Sequence, residues 1–299
     1  MDDTVIRQPD ITKLEGLKKI RDIMLSGDGD GIDGLKDTVI GQDEAVSEFV
    51  DGIIDALIDY SERKNDDIKP MGIFLFAGAP GVGKTYLATE AGRILGWPTH
   101  VFNMAQYSQE DDGVMDFNGL NASWRNSHPG DLYSFVMDEA LGKRNILVFD
   151  EIEKAHPQVI RLFHGILEGR ITDLYYESAQ QISEEQLDEK GIIPRDPHIA
   201  LNNSILIFTS NVGRSLYEDR RLSERPSSRV IVDAIKKEKN KETGEPYFPA
   251  AIISRLSSGT IIFFDNMTPE PLIDIAEKRQ NIYIDKVKKK EASSVCVGK

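Results

Sequence analysis

GAPGVGKT, residues Gly78–Thr85, is the stretch of the chain that decides its fold. It follows the apolar run Ile73–Ala77 and precedes a helix-forming segment, which is the strand–loop–helix setting of the P-loop pattern G-x-x-x-x-G-K-[ST]. Glycines let backbone N–H groups face phosphate oxygens, the lysine carries a positive charge toward the β and γ phosphates, and the threonine hydroxyl is a ligand for Mg²⁺. The pattern therefore predicts a site for ATP and Mg²⁺.

An ordinary glycine-rich turn before a helix would account for Gly78 and Gly81, but it would not require the Gly-Lys-Thr triplet that follows. We therefore expect the whole loop to contact the nucleotide, with Thr85 also a ligand of the metal. The residues predicted to bind nucleotide in this segment are Gly78, Ala79, Pro80, Gly81, Val82, Gly83, Lys84, Thr85 and Tyr86.

NILVFDE, residues Asn145–Glu151, is an apolar run that ends in two carboxylates, as a buried parallel strand would deliver them at its carboxyl end. This is the Walker B pattern. It predicts that Asp150 holds Mg²⁺ and that Glu151 accepts a hydrogen bond from the attacking water. An ordinary strand that ends in solvent-exposed acids would show the same sequence pattern. The presence of a P-loop in the same chain favours the nucleotide site.

The composition and charge of the chain disfavour nucleic-acid-binding, secreted and membrane-spanning classes of protein. The chain has 299 residues, of which 40% are hydrophobic, and a net charge of −14, which disfavours binding of nucleic acid through phosphate contacts. Its single cysteine, Cys296, allows no intrachain disulfide, and the N-terminal sequence lacks the apolar core of a secretory signal. No apolar run approaches the ~20 residues that span a bilayer. We therefore expect a cytoplasmic protein without membrane insertion.

Strand-like and helix-like segments alternate along the chain, which predicts an α/β fold with a parallel sheet covered by helices on both faces. We predict an N-terminal helix (Ile11–Leu25) with a Gly/Asp-rich linker in residues 1–34 and a core domain in residues 35–266. Residues 173–203 are acidic and form an insertion in that core, either a loop or a small subdomain. Residues 267–299 are expected to begin a C-terminal helical lid that is incomplete.

Three ordered segments beyond the P-loop carry a family resemblance: FDEIEKAHPQV (Phe149–Val159), LEGRITD (Leu167–Asp173) and IFTSN (Ile207–Asn211). With the P-loop they resemble the Clp-type ring unfoldases of the AAA+ superfamily, over roughly residues 34–290. The resemblance implies the AAA+ large subdomain followed by a small helical one. It also implies a homo-oligomer, a hexameric ring, that hydrolyses ATP at subunit interfaces to remodel or unfold protein substrates.

The resemblance assigns further site residues. Val39 and Ile40 match the family segment that lines the adenine pocket. The alternative is that they form only a buried turn before a helix, which would have the same sequence pattern. Asn211 matches sensor 1, whose amide helps to position the lytic water. Arg255, in YFPAAIISRL, matches an arginine finger that reaches a neighbouring subunit's nucleotide; Ala251 and Ser254 replace a glutamate and an asparagine of that motif. The alternative for Arg255 is a surface arginine at a helix end.

Trp124 falls where the family has an aromatic residue that projects into the ring pore and grips substrate, although the family's flanking glycine–tyrosine–valine–glycine signature is absent. A tryptophan packed on the domain surface is the alternative. The insertion, which has Tyr175 and Tyr176 near its start, lies where the family has a second pore-facing loop. The alternative is that it is only a surface loop.

Two family features are missing. No isoleucine–glycine–phenylalanine or isoleucine–glycine–leucine loop is present, so docking onto the Clp peptidase is doubtful. The Gly-Ala-Arg motif of sensor 2 is also missing, so the chain is a fragment or its lid is missing or replaced. The missing lid and the altered pore signature favour an alternative function, an ATP-dependent assembly switch or scaffold that threads no substrate. A DNA-linked motor is disfavoured by the acidic charge.

Overall fold

The computed structural model describes residues 10–29, 31–64, 67–109, 112–218, 225–240 and 244–296. Its strands are β1 (Gly72–Gly78), β2 (Thr99–Asn103), β3 (Asn145–Asp150), β4 (Arg170–Thr172), β5 (His198–Ala200), β6 (Ser204–Ser210) and β7 (Thr260–Phe264). Its helices are α1 (Leu14–Ser26), α2 (Leu35–Thr38), α3 (Asp43–Ser61), α4 (Lys84–Leu95), α5 (Asp112–Asn118), α6 (Asp131–Asp138), α7 (Pro157–Leu167), α8 (Leu174–Ala179), α9 (Glu184–Lys190), α10 (Arg214–Glu218), α11 (Ser228–Lys237), α12 (Ala250–Leu256) and α13 (Pro269–Cys296).

Five strands form one parallel sheet in the order β2-β3-β6-β1-β7, which confirms the predicted α/β fold. Because the strands are parallel, their carboxyl ends meet at one edge. The register brings the end of β1 beside the end of β6 (Ala77 opposite Ser210), and Asp150 on β3 opposite Asn103 on β2. Ligands bind at this edge in open α/β sheets, and here three predicted site segments reach it together.

Both faces of the sheet are covered, which explains why its central strands β1, β3 and β6 are largely apolar. On one face, Phe74, Phe76 and Val148 pack under the helices α1, α3 and α4. On the other face, Phe149 lies at the centre of an aromatic cluster: its ring stacks on Phe208 with centroids 5.0 Å apart and meets the edge of another ring, that of Phe163, at 4.8 Å. This cluster holds β3 in place directly before Asp150.

The predicted N-terminal helix is present as α1 and buries Leu17, Ile20, Ile23 and Met24 against α3 and α4. The Gly/Asp-rich segment after it turns back on itself, with Ile32 N donating to Asp28 Oδ1 at 2.9 Å. The predicted division of the chain at residue 34 stays a prediction. Its N-terminal part nevertheless contributes side chains to the core beneath the sheet.

The acidic insertion contains the helices α8 and α9 and the strand β5, which pairs antiparallel with β4. Helix α9 begins with a capping box formed by Ser183 and Gln186. Helix α13 follows β7 and contributes residues to the cavity at the sheet edge. Among the residues described, no helix combines the length and the apolar character needed to cross a bilayer.

Replacing Phe149 by alanine should lower the free energy of unfolding by about 3–5 kcal/mol, because it empties the centre of the aromatic cluster. Urea titration followed by circular dichroism measures this change. The control is Tyr283→Ala, at a side chain that is 69% exposed on α13, which should stay within about 0.5 kcal/mol of the parent. Equal stabilities for the two variants would contradict the role given to Phe149.

Candidate active site

The P-loop connects the end of β1 to the start of α4 and forms one wall of a cavity of about 740 Å³. Gly81 and Gly83 have φ angles of 79° and 103°, in the region that favours glycine, and they turn the loop around the end of the helix. The amino terminus of α4 faces the cavity with free N–H groups and the positive end of its dipole. This end of the cavity is suited to phosphate groups.

Lys84 is buried in the cavity wall, with only 5% of its surface exposed. Its ammonium group donates to Gly78 O at 2.9 Å, to Ala79 O at 2.7 Å and to Asn211 Oδ1 at 2.8 Å. Burial lowers the pKa of Lys84 to about 8, although the nearby carboxylates Glu153, Asp150 and Glu151 act in the opposite direction. The cation is fixed in position before any phosphate arrives.

Asp150 ends β3 and carries the hydrogen bonds expected of a metal-site carboxylate. Its Oδ1 accepts from the hydroxyl of Thr85 and, at 2.7 Å, from the hydroxyl of Thr209. Thr209 Oγ1 also accepts from Glu151 N at 2.9 Å. Glu151 has a φ of 56°, unusual for a residue other than glycine, so the Thr209 hydroxyl supports the chain where it leaves β3 in a strained conformation.

Glu151 is held by two donors. Asn211 Nδ2 donates to its Oε1 at 2.7 Å, and Lys154 forms an ion pair with its Oε2. Burial acts to raise the pKa of Glu151, but the hydrogen bonds from Lys154 and Asn211 outweigh burial, and its pKa lies below the ordinary value. The group is therefore a carboxylate that accepts hydrogen bonds, as a water-polarising residue has to be.

Asn211 connects the two halves of the site. Its amide nitrogen donates to Glu151 and its amide oxygen accepts from Lys84; because a carboxylate only accepts and an ammonium only donates, this orientation of the amide is determined. Its backbone N donates to Glu153 Oε1 at 2.9 Å, and its carbonyl accepts from the hydroxyl of Tyr217. Both ends of the residue are thus fixed.

Most of the sequence-predicted residues come together around this cavity. Gly78 and Ala79 lie behind the loop, where their carbonyls bind Lys84. The predicted residues that line the cavity are Val39, Ile40, Pro80, Gly81, Val82, Gly83, Lys84, Thr85, Tyr86, Asp150, Glu151 and Asn211. Their chemical roles remain predictions, but their convergence is a finding.

Sequence reasoning missed six lining residues: Thr38, Thr209, Met267, Ile275, Lys278 and Arg279. Thr209 stands two residues before Asn211, and its polarity inside an apolar strand was a usable signal. The residues from α13 had no such signal, because their position depends on how that helix lies across the cavity. Lys278 Nζ donates to Asp37 O at 2.7 Å and so ties α13 to the residue just before Thr38.

Besides Gly78 and Ala79, two predicted functional residues do not line this cavity. Arg255, on α12, donates to His164 O at 2.8 Å and to Glu168 Oε1 at 2.6 Å, both beside the carboxyl end of α7. Trp124 lies between α5 and α6 and is 53% exposed. Neither Arg255 nor Trp124 is therefore placed to act in the cavity of its own chain.

The cavity fits Mg²⁺ of the kind that nucleotides carry. No cluster of three or more His, Cys, Asp or Glu suited to a metal occurs in the described part of the chain. Mg²⁺, however, usually takes one or two protein ligands and completes its shell with water and phosphate oxygens. Thr85 and Asp150, hydrogen-bonded to each other beside Lys84, are the oxygen ligands that such a site needs.

Comparison with known proteins agrees with this geometry. A family model described as AAA domain (Cdc48 subfamily) matches residues 69–258. The chaperone protein ClpB of Rickettsia felis is 28% identical over 250 residues, which cover 81% of this chain and 25% of that protein. ClpB of Bacteroides thetaiotaomicron is 30% identical over 217 residues, covering 70% and 22%. The chain thus spans at most about a quarter of the length of these curated relatives.

Replacing Thr209 by valine keeps the side-chain shape but removes the hydrogen bonds to Asp150 and Glu151. We expect ATP turnover to fall by about tenfold or more, while nucleotide affinity stays within about threefold, because the lost bonds orient acidic groups and not the phosphate-binding loop. Steady-state hydrolysis and titration with a fluorescent nucleotide measure the two effects. Thr209→Ser, which keeps the hydroxyl, should retain activity; equal losses in both variants would exclude this role.

Proposed function

The chain belongs to the AAA domain family (Cdc48 subfamily) and is a Clp-type AAA+ ATPase, and from this premise we propose that it uses ATP hydrolysis at subunit interfaces to remodel or unfold protein substrates. The observation that carries the proposal is the bridge made by Asn211 between Lys84 and Glu151. Through this bridge one amide contacts both the ammonium group proposed to bind the γ-phosphate and the carboxylate proposed to polarise the attacking water.

Each residue of the site has a distinct part in the proposed reaction. Lys84 binds the β and γ phosphates, and the N–H groups of the P-loop surround them. Thr85 and Asp150 hold Mg²⁺, which when bound neutralises charge on the phosphates. Glu151 accepts a hydrogen bond from water and polarises it toward the γ-phosphate, and Asn211 orients that carboxylate.

The adenine base is assigned to the apolar end of the cavity. Val39 is buried and lies against the P-loop, and Ile40 with Met267 and Ile275 from the other side completes an apolar lining. Gln42 fixes this segment, because its amide exchanges two hydrogen bonds with the backbone of Asp265 after β7, at 2.9 and 3.1 Å. A planar base fits between such surfaces.

Glu151→Gln should bind ATP with affinity within about threefold of the parent. Its rate of ATP hydrolysis should fall by at least about 100-fold, since an amide cannot act as the base. Equilibrium binding of a fluorescent ATP analogue and steady-state turnover test the two parts. Glu139→Gln, an exposed glutamate just after α6, is the matched control and should leave both unchanged. Normal turnover in Glu151→Gln would refute the assignment of the base.

The arginine finger is proposed to act between subunits. Arg255 binds Glu168 and a carbonyl of its own chain, so reaching a neighbour's γ-phosphate requires that it exchange these partners on assembly. The ring is built from repeated head-to-tail contacts, each of which brings one subunit's Arg255 to the next subunit's cavity. Specific ATP turnover per chain is then expected to rise with protein concentration.

A mixing experiment tests this arrangement directly. Arg255→Ala and Glu151→Gln should each be nearly inactive, yet an equimolar mixture should regain about a quarter of parental turnover, because half of the sites keep Glu151 and half of those face an intact Arg255. Glu168→Gln is the control: it breaks the intrachain ion pair, keeps the arginine and should remain active. A mixture as inactive as its components would exclude a finger supplied in trans.

The substrate assignment is tested with casein, an unstructured protein. An unfoldase should hydrolyse ATP faster when such a polypeptide is present, and Trp124→Ala should weaken this response while leaving basal hydrolysis intact. Parental protein that shows no response to casein, but assembles when ATP is added, would favour the assembly switch over the unfoldase.

A further inference from the structure

The segment that carries Trp124 is a compact loop of defined shape. Leu120 N donates to His128 O at 2.9 Å and closes the loop, and Trp124 N donates to Asn121 O at 3.0 Å within it. Ala122 is completely buried, whereas Trp124, two residues later, is largely exposed. The loop therefore has an anchored base and a projecting aromatic tip.

The acidic insertion supplies the first two of the loop's anchors. The carboxylate of Asp173, which is buried, accepts from Gly130 N at 2.7 Å at the end of the loop. Ser178 Oγ accepts from Ala122 N at 2.8 Å, in the buried base of the loop. Ala122 also packs with Ala179 and Ile192 in a small apolar cluster. The loop's base is thus fixed by α8 and the residues around it.

Lys190 supplies the third anchor, and it is the only one at the tip among the described residues. Its ammonium group donates to Ala122 O at 2.6 Å and to Trp124 O at 3.1 Å. These two carbonyls lie on either side of Ser123, so one cation fixes the direction in which the chain leaves the buried base and reaches the tryptophan. Hydrogen bonds from a charged donor are stronger than neutral ones.

The structure of α9 is consistent with this task. The helix has a capping box at its start and a left-handed glycine, Gly191, at its end. Its one packed side chain among the apolar clusters is Leu187, which is half-buried against the cluster of Ala122, Ala179 and Ile192. Its last residue is Lys190, and the chain then enters the apolar cluster at Ile192. This short, well-capped helix is seated on the small apolar cluster through Leu187, and it presents its terminal lysine to the loop.

We propose that Lys190 is a positioning residue that holds the Trp124 loop in its projecting conformation, and that the acidic insertion thereby determines how Trp124 meets a polypeptide substrate. The second part rests on the proposed function, whereas the first part concerns only the loop. Lys190 itself does not have to touch substrate. The insertion and the Trp124 loop act as one unit.

The loop can be observed without any substrate. The chain has two tryptophans, and Trp97 is buried, so Trp97→Phe leaves Trp124 as the sole tryptophan reporter. In this background Lys190→Met, which keeps the aliphatic stem but removes the donor, should lower the fluorescence anisotropy of Trp124 and raise its acrylamide quenching constant by about 1.5-fold or more. Lys190→Arg, which can still donate, should return both values toward those of the background protein.

Substrate contact is measured in the same variants. The casein concentration that half-saturates ATPase stimulation should rise by about threefold or more in Lys190→Met, while basal ATP turnover stays within about twofold, because the nucleotide cavity is untouched. The matched control is Lys143→Met. Lys143 also donates to a carbonyl, Glu139 O at 3.1 Å, but outside this loop, and its loss should change none of these values.

The outcomes separate the positioning role of Lys190 from the proposed unfoldase function. Unchanged anisotropy and quenching in Lys190→Met would overturn the positioning role, whatever casein does. Changed fluorescence with an unchanged casein response would overturn the link to substrate but not the anchor. If the parental protein shows no casein response while the fluorescence change is present, the proposed unfoldase function fails and the positioning of the loop stands.

Discussion

The buried ammonium group of Lys84 is the constraint on which the arrangement of the site depends. A cation removed from water requires close acceptors, and three are provided by separate parts of the chain: the end of β1, the P-loop and Asn211 after β6. These acceptors meet only because β6 lies beside β1 in the parallel sheet. The strand order and the lysine are thus linked, since a different neighbour for β1 would leave the charge without its third partner.

The same constraint extends to Glu151, the proposed catalytic carboxylate. The Asn211 amide accepts from Lys84 with its oxygen and donates to Glu151 with its nitrogen, so one side chain ties the two charged groups together. Glu151 in turn leaves β3 in a left-handed conformation that the Thr209 hydroxyl supports. Four groups, one at the start of α4 and three at the carboxyl ends of β3 and β6, are therefore interdependent. A phosphate that draws Lys84 toward itself has to alter the hydrogen bonds of Glu151 as well.

The parts of this site that residue patterns alone predicted are those encoded by a strand and the few residues after it. The P-loop, Asp150 and Glu151 are of this kind, because hydrophobic pattern and parallel pairing together place strand ends at one edge. Asn211, Val39 and Ile40 were assigned through the family resemblance. Lys278 and Arg279 were not predictable, since they reach the cavity only through the course of α13. The contact of Lys190 with the Trp124 loop joins residues 66 positions apart, within an acidic segment whose composition indicates only solvent exposure.

Helix α7 gives the fold a means to relate the nucleotide edge to distant surfaces. It begins shortly after Glu151 and packs one face into the core through Val159, Phe163 and Ile166. At its other end lie the contacts of Arg255, and β4 then leads to Asp173 at the base of the Trp124 loop. A displacement at Glu151 that is passed to the start of α7 is carried along the helix as a unit, because its packed face resists local deformation. Such a movement would reach the proposed subunit contact and the proposed substrate loop together.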